Sequence, residues 1–204
     1  MGMSDVSAVT ITADTVALDA DGISVATSVG NNAALVIGGA LASGGAVALS
    51  HGRIVTILSA GNDAAKSFTV VGTDVNGAAQ TESITGANAG TATGTNYFLT
   101  IASITAVGNP AGNVSAGVNA SAADVIFAGR SRLKGIYLTS TATAGTVDFL
   151  NTSPSGTSIM GLSSVGDADA TRDVVIPEEG VLFKAGIYIE YTVSTFLTMT
   201  VFHA

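Results

Sequence analysis

Apolar side chains alternate with hydroxyl-bearing or small ones along most of this chain. Phe68 and Val70 fall on one side of an extended backbone, and Thr69 and Val71 on the other. Leu197, Met199 and Val201 alternate in the same way with Thr198, Thr200 and Phe202, and Ile187 and Ile189 with Tyr188 and Glu190. A period of two gives a strand one face for a core and one face for the outside. Thr and Val dominate these runs, and β-branching restricts both to extended backbone. No window of helical length carries an i, i+3, i+4, i+7 apolar stripe with charged flanks. The expected fold class is all-β, an antiparallel β-sandwich or jelly-roll-like arrangement.

The strands expected from this pattern are Val6–Ile11, Thr15–Leu18, Ala33–Ile37, Ala46–Leu49, Arg53–Leu58, Ser67–Val75, Ala78–Thr85, Tyr97–Val107 and Asn113–Val118. A second set is Arg132–Ser140, Thr146–Leu150, Ser158–Leu162, Arg172–Ile176, Val181–Phe183, Gly186–Val193 and Leu197–Phe202. Asn76-Gly77 separates two alternating runs and predicts a hairpin from Lys66 to Thr85, closed by a type I′ turn in which both central residues take positive φ. Ala144-Gly145 is a weaker turn signal. A change in composition near Ala128 suggests two domains. The first would span 1–127 with an extended N-terminal arm, Met1–Asp14, and the second, smaller sandwich or barrel would span 128–204. No internal repeat is present.

With 47% hydrophobic and 11% charged residues, the chain can bury a core. Aromatics are 5% and Trp is absent, so the core is built of small pieces. The net charge is −8 with only 7 basic residues, which leaves little for phosphate neutralisation. Arg130, Arg132 and Lys134, at spacing two, would share one strand face and are read as an edge that meets a neighbouring subunit, as is the N-terminal arm. No nucleic acid is expected as a partner. Cys is absent, which excludes disulfides, thiolate metal sites and a thiol nucleophile. Met1–Asp5 has no signal-peptide character. Gly22–Ser50 is uncharged and long enough to span a bilayer, but its glycines and Asn31-Asn32 favour strands around a Gly-rich loop, and no membrane is expected as a partner.

Residues for catalysis are few. His51 stands in a Ser-His-Gly-Arg segment read as a loop, and His203 is penultimate. Neither has a nucleophile elbow to serve. Glu178-Glu179 sit between Pro177 and Gly180, as turn acids. Asp167, Asp169 and Asp173 read likewise. Asp19-Ala20-Asp21-Gly22 has the opening rhythm of a calcium loop, but Gly30 stands where the bidentate Glu should be. Asp19 and Asp21 are thus an incomplete Ca²⁺ site, and the expectation is no metal, no cofactor and no enzymatic activity.

Two segments resemble a known class. Arg53–Gly108 contains Phe68-Thr-Val-Val-Gly-Thr-Asp74, then Asn76-Gly77, then Thr81-Glu-Ser-Ile-Thr-Gly86, then Phe98-Leu-Thr-Ile-Ala-Ser-Ile-Thr105. Leu133–Thr192 ends in Ile176-Pro177 followed by Gly180-Val-Leu-Phe183 and Gly186-Ile-Tyr188. Both are similar to structural proteins of tailed bacteriophages, marine and cyanobacterial ones above all. The resemblance implies a virion protein without an active site, assembled in the host bacterial cytoplasm. Within that class a capsid decoration (cement) protein is favoured, a homo-oligomer, trimeric by preference, that binds the major capsid protein or other virion proteins. A head–tail connector or tail component is the alternative, and a carbohydrate-binding β-sandwich module a further one.

Overall fold

In a computed structural model the described residues are 5–204. They form fifteen strands and no helix, so the all-β reading holds, and the hairpins and ladders around Ser67–Thr73 (β5), Thr91–Val107 (β7), Ser131–Ser140 (β9), Ala144–Asn151 (β10), Ile187–Thr192 (β14) and Phe196–His203 (β15) are antiparallel. The chain divides into two compact units. One is Ala17–Ala120. The other joins residues 5–16 to Ser121–Ala204. This differs from a split at 127/128 with an N-terminal arm on the first domain: the arm belongs with the C-terminal residues. Strand β1 (Ser7–Thr12) pairs with β15 (Phe196–His203), Ser7 opposite His203 and Thr12 opposite Thr198. Such a pairing spans nearly the whole chain and leaves no local mark in the sequence. Met1–Ser4 of the arm lie outside the described residues.

The unit Ala17–Ala120 contains β2 (Asp19–Ser28), β3 (Ala42–Ser43), β4 (Ala46–Ser59), β5 (Ser67–Thr73), β6 (Ala79–Thr85), β7 (Thr91–Val107) and residues 113–120 of β8 (Asn113–Phe127). The order across its sheet is β8, β4, β7, β5, β6, with β2 on β8 and β3 on β4. Ile23, Val47, Val55, Ile57, Phe68, Val70, Phe98, Ile101, Ile104 and Val114 form its core. Fully burying one such side chain is worth about 1.5–3 kcal/mol. The expected strands Ala46–Leu49 and Arg53–Leu58 are one strand, and His51 lies inside β4 instead of in a loop. The β4–β7 register breaks between Ala48 and Arg53 around it. The guanidinium of Arg53 is buried and donates to the carbonyl of Asn119.

Two expectations for residues 15–37 are corrected. Thr15–Leu18 is not a strand; the strand begins at Asp19. Ala33–Ile37 forms only a single bridge, Ala34 to Thr105. Leu35 donates to Ile104 and Ala106 to Ala33. β4 leaves that flank of β7 beyond Val47–Ile101, and this segment occupies it. No helix among the described residues is long and apolar enough to cross a membrane.

The hairpin is where the sequence places it, Ser67 opposite Thr85 and Thr73 opposite Ala79, but its turn is different. Gly77 has φ 80° and Asn76 is not among the residues of positive φ. The Gly77 N–H donates to the Asp74 carbonyl at 3.0 Å, and the Asp74 N–H to the Ala78 carbonyl at 2.9 Å. This is a three-residue loop, a type I turn followed by a left-handed Gly. Asp74 selects it: Oδ1 accepts the N–H groups of Asn76 and Ala78, holding the turn in the right-handed form.

The other unit has two antiparallel sheets packed as a sandwich. One runs β1, β15, β9 (Ser131–Ser140), β12 (Thr171–Val175), with β13 (Val181–Phe183) also on β9. The second runs β11 (Thr157–Val165), β10 (Ala144–Asn151), β14 (Ile187–Thr192), and residues 121–127 of β8. Leu133, Ile136, Leu138, Met199 and Val201 of the first sheet are buried, as are Val147, Phe149, Ile187, Ile189 and Tyr191 of the second. Tyr191 and Phe196 meet with ring centroids 4.9 Å apart. The Tyr191 hydroxyl also accepts the N–H of Asp14 at 3.1 Å, which ties down the residues after β1. Ala144-Gly145 is not the turn; both lie in β10, and residues 141–143 connect the sheets.

Leu197 was expected on the core side with Met199 and Val201. The β15–β9 register shifts between Phe196 and Thr198, so Leu197 is an extra residue in a bulge. Phe196 enters the core instead, and Leu197 turns outward.

Candidate interaction surface

The register of the sheet β1–β15–β9–β12 fixes which side chains share its outward face. Thr12, Thr198, Thr139 and Thr171 lie side by side across the four strands. Two residues along come Thr10, Thr200, Tyr137 and Asp173. Two further along come Ala8, Phe202, Gly135 and Val175. Strands stand about 4.8 Å apart, and alternate residues about 6.7 Å apart along each strand. The result is a grid of twelve positions that holds one charge.

Local chemistry explains the grid. The opposite faces of these strands carry Leu133, Ile136, Leu138, Met199 and Val201, so the alternation sends the hydroxyls outward. Thr10 and Thr200 share a hydrogen bond between their hydroxyls at 2.9 Å. A Cβ on Gly135 would stand 3.7 Å from the Phe202 ring and 3.1 Å from the carbonyl of Val174. The glycine therefore leaves a floor for that ring. Tyr137 is 43% exposed, Phe202 36% and Val175 77%. Tyr97, Tyr188 and Tyr191 are buried, so Tyr137 is the tyrosine that presents its ring outside. Aromatic rings amid hydroxyls with little charge can be desolvated against a partner at low cost. Sequence reasoning missed this face. The signal was Thr at spacing two in β1 (Thr10, Thr12) and in β15 (Thr198, Thr200), but it needed the register to become a surface.

The basic residues go elsewhere. Arg132 donates from Nη1 to the carbonyls of Glu179 and Gly180, at 3.3 and 3.4 Å. Lys134 donates from Nζ to the carbonyl of Glu178 at 2.7 Å. Both hold the turn between β12 and β13, where Glu178 (φ 56°) and Gly180 (φ 76°) are left-handed. The ion pair from Arg132 Nε to Glu179 Oε2, 3.8 Å, is exposed and adds little. Arg130 precedes β9 and is exposed. The three do not form one outward strip.

Asp19 and Asp21 open β2. Asp19 Oδ1 accepts the Asp21 N–H at 3.1 Å, and its carboxylate packs on Gly22 so closely that a Cβ there would collide with it. Among the described residues no three His, Asp or Glu side chains gather as a metal-ligand set. His203 Nδ1 lies 3.2 Å from Ser131 Oγ, and that hydroxyl also donates to the carbonyl of Ala204 at 3.1 Å. The ring stacks at a tilt on Phe127, centroids 5.1 Å apart. Burial lowers the pKa of His203 below its ordinary value. Asp167 and Asp169 fall in the connection from β11 to β12. No family model matches the sequence, and no curated protein or solved structure matches the chain.

Proposed function

We propose that this chain is a structural subunit of a tailed-bacteriophage particle, and within it a capsid decoration protein that binds between subunits of the major capsid protein. The observation that carries this reading is the twelve-position grid on the β1–β15–β9–β12 sheet. A decorating subunit must stay soluble alone and then bury a face. Six Thr hydroxyls bond to water in the first state and to a partner in the second, while Tyr137, Phe202 and Val175 supply apolar area to be buried. The sequence resemblance of Arg53–Gly108 and Leu133–Thr192 supports the same class. The role is one of assembly, with no catalysis. A subunit that binds only the assembled shell stabilises it by mass action, by about 2.7 kcal/mol per site at a hundred times Kd.

A head–tail connector or tail component would use the same surface chemistry, and copy number separates these roles. A carbohydrate module is favoured by one detail, the exposed Tyr137 ring flanked by Thr200 and Asp173 in the register. The test is to add purified protein to shells that lack it. Binding with a raised shell melting temperature is expected, and Tyr137→Ser with Phe202→Ser should weaken binding by more than tenfold, since central aromatic anchors commonly contribute about 2 kcal/mol or more. Shells that take up none, with retention on a polysaccharide matrix lost in the Tyr137 variant, would move the reading to sugar binding.

A further inference from the structure

Asn76-Gly77 is the one Asn-Gly pair in the chain; every other Asn is followed by a residue with a side chain. The fold places the pair at the tip of the β5–β6 hairpin, where Asn76, Gly77 and Ala78 are all exposed. The amide carbon of an Asn side chain can be attacked by the main-chain nitrogen of the next residue, closing a cyclic imide. A side chain on that next residue hinders the approach, and Gly has none. A Cβ at Gly77 would meet nothing within 4 Å, so no other part of the fold crowds the nitrogen. Asp21-Gly22 could close the same ring, but Gly22 is buried in β2 and the space beside it is filled by the Asp19 carboxylate.

The same loop restrains the reaction. The Gly77 N–H, which must give up its proton before the nitrogen can attack, donates to the Asp74 carbonyl at 3.0 Å. The main chain on either side is fixed by the Asp74 carboxylate, whose Oδ1 accepts the N–H groups of Asn76 at 2.8 Å and Ala78 at 2.9 Å. We propose that Asn76 is a site of spontaneous, one-way deamidation and that Asp74 sets its rate. The Gly77 nitrogen loses its proton to solvent hydroxide and bonds to Asn76 Cγ. The bond from Cγ to the side-chain nitrogen breaks, and ammonia leaves. Water then opens the imide. Breaking the bond from Cγ to the Gly77 nitrogen gives aspartate; breaking the bond from the main-chain carbonyl carbon of residue 76 gives isoaspartate, with the chain running through the former side chain. The sum consumes a water and releases an ammonia, with no oxidant or reductant.

Either product sets a second carboxylate close to Asp74, and isoaspartate lengthens a loop whose closing bonds run between Asp74, Gly77 and Ala78. The change stays at the tip, because β6 is held further along by side chains. Gln80 Nε2 donates to the carbonyl of Tyr97 at 2.8 Å, and the Glu82 carboxylate accepts the N–H groups of Thr95 at 2.6 Å and Asn96 at 3.3 Å. The site lies outside the twelve-position grid, and the inference does not rest on the virion reading.

The test follows the full chain over time in mildly alkaline buffer at physiological temperature, with peptide mapping by mass spectrometry and an isoaspartate assay. In the folded wild type Asn76 should convert ahead of every other Asn. Asp74→Ala should convert at least about tenfold faster, the scale on which losing a hydrogen bond to a charged acceptor loosens a loop. Asp74→Asn keeps an acceptor oxygen in place and should stay near the wild-type rate. Adding Gly77→Ala to Asp74→Ala should cancel the gain, since a methyl group then shields the nitrogen. In strong denaturant the clamp is gone from both chains, so wild type and Asp74→Ala should convert at the same rate. Another Asn converting first in the folded chain would overturn the proposal. So would equal rates for folded wild type and Asp74→Ala, or a difference between them that survives in denaturant.

Discussion

The two units use the same period-two alternation but put different residues inside. In Ala17–Ala120 the core is mostly Val, Ile and Leu with Phe68 and Phe98, and backbones approach one another closely at glycines. A Cβ on Gly117 would fall on the Asp19 carbonyl, and one on Gly72 on the Thr100 carbonyl. In the C-terminal unit Phe149, Phe183, Tyr191 and Phe196 fill the space between two sheets, and the outward face of one sheet keeps its hydroxyls and two rings. The first unit brings main chains together at Gly72 and Gly117, and the second stacks Tyr191 on Phe196 between its sheets.

The largest expected effect probes ring packing. Phe196→Ala removes a buried ring and should cost about 3–5 kcal/mol. Its neighbour Leu197→Ala should cost under about 1 kcal/mol, because the bulge has turned Leu197 out. Urea denaturation of both variants checks the pair, and comparable losses would mean the bulge is misplaced. Next comes main-chain contact. Gly117→Ala should cost about 3 kcal/mol, since the colliding atom is backbone. Gly135→Ala, whose nearest neighbour stands at 3.1 Å, should cost about 1 kcal/mol or less. If the two were equal, the contrast between the units would fail.

These pairs also show what the sequence could reveal. Wherever alternation was regular, the strands were legible: β5 and β6, β9, β12, β13 and β14 lie within a residue or two of their expected bounds. Bulges were not legible, because one extra residue inverts every side chain beyond it, and Leu197 reads as a core residue for that reason. β2 was hidden because Asp19-Ala20-Asp21-Gly22 reads as the opening of a calcium loop. The turn at Asn76-Gly77 was located but mistyped, since Asp74, two residues earlier, decides its hand. The surface grid needed four strands brought into register across nearly two hundred residues, which no local pattern contains.

The smallest effect concerns His203. Burial lowers its pKa, so the folded state holds it neutral and the unfolded state binds more protons. Its contribution is therefore fully present above the ordinary value of 6.5 and is lost as pH falls from there through the lowered folded value. Thermal melts between pH 7 and 5 should show a shallower fall for His203→Gln than for the wild type. An identical slope would mean that the ring beside Ser131 and Phe127 titrates as it does in the open chain.

The central claim is that this chain is a repeated part of a particle. Quantitative mass spectrometry of purified virions, with the major capsid protein as the internal standard, tests it most directly. A symmetric shell position demands one copy per equivalent site, so the expected result is a ratio to the major capsid protein near one or a simple fraction of it. A handful of copies per particle would move the chain to the connector or tail. Absence from virions, with abundance in the infected cell, would contradict the account.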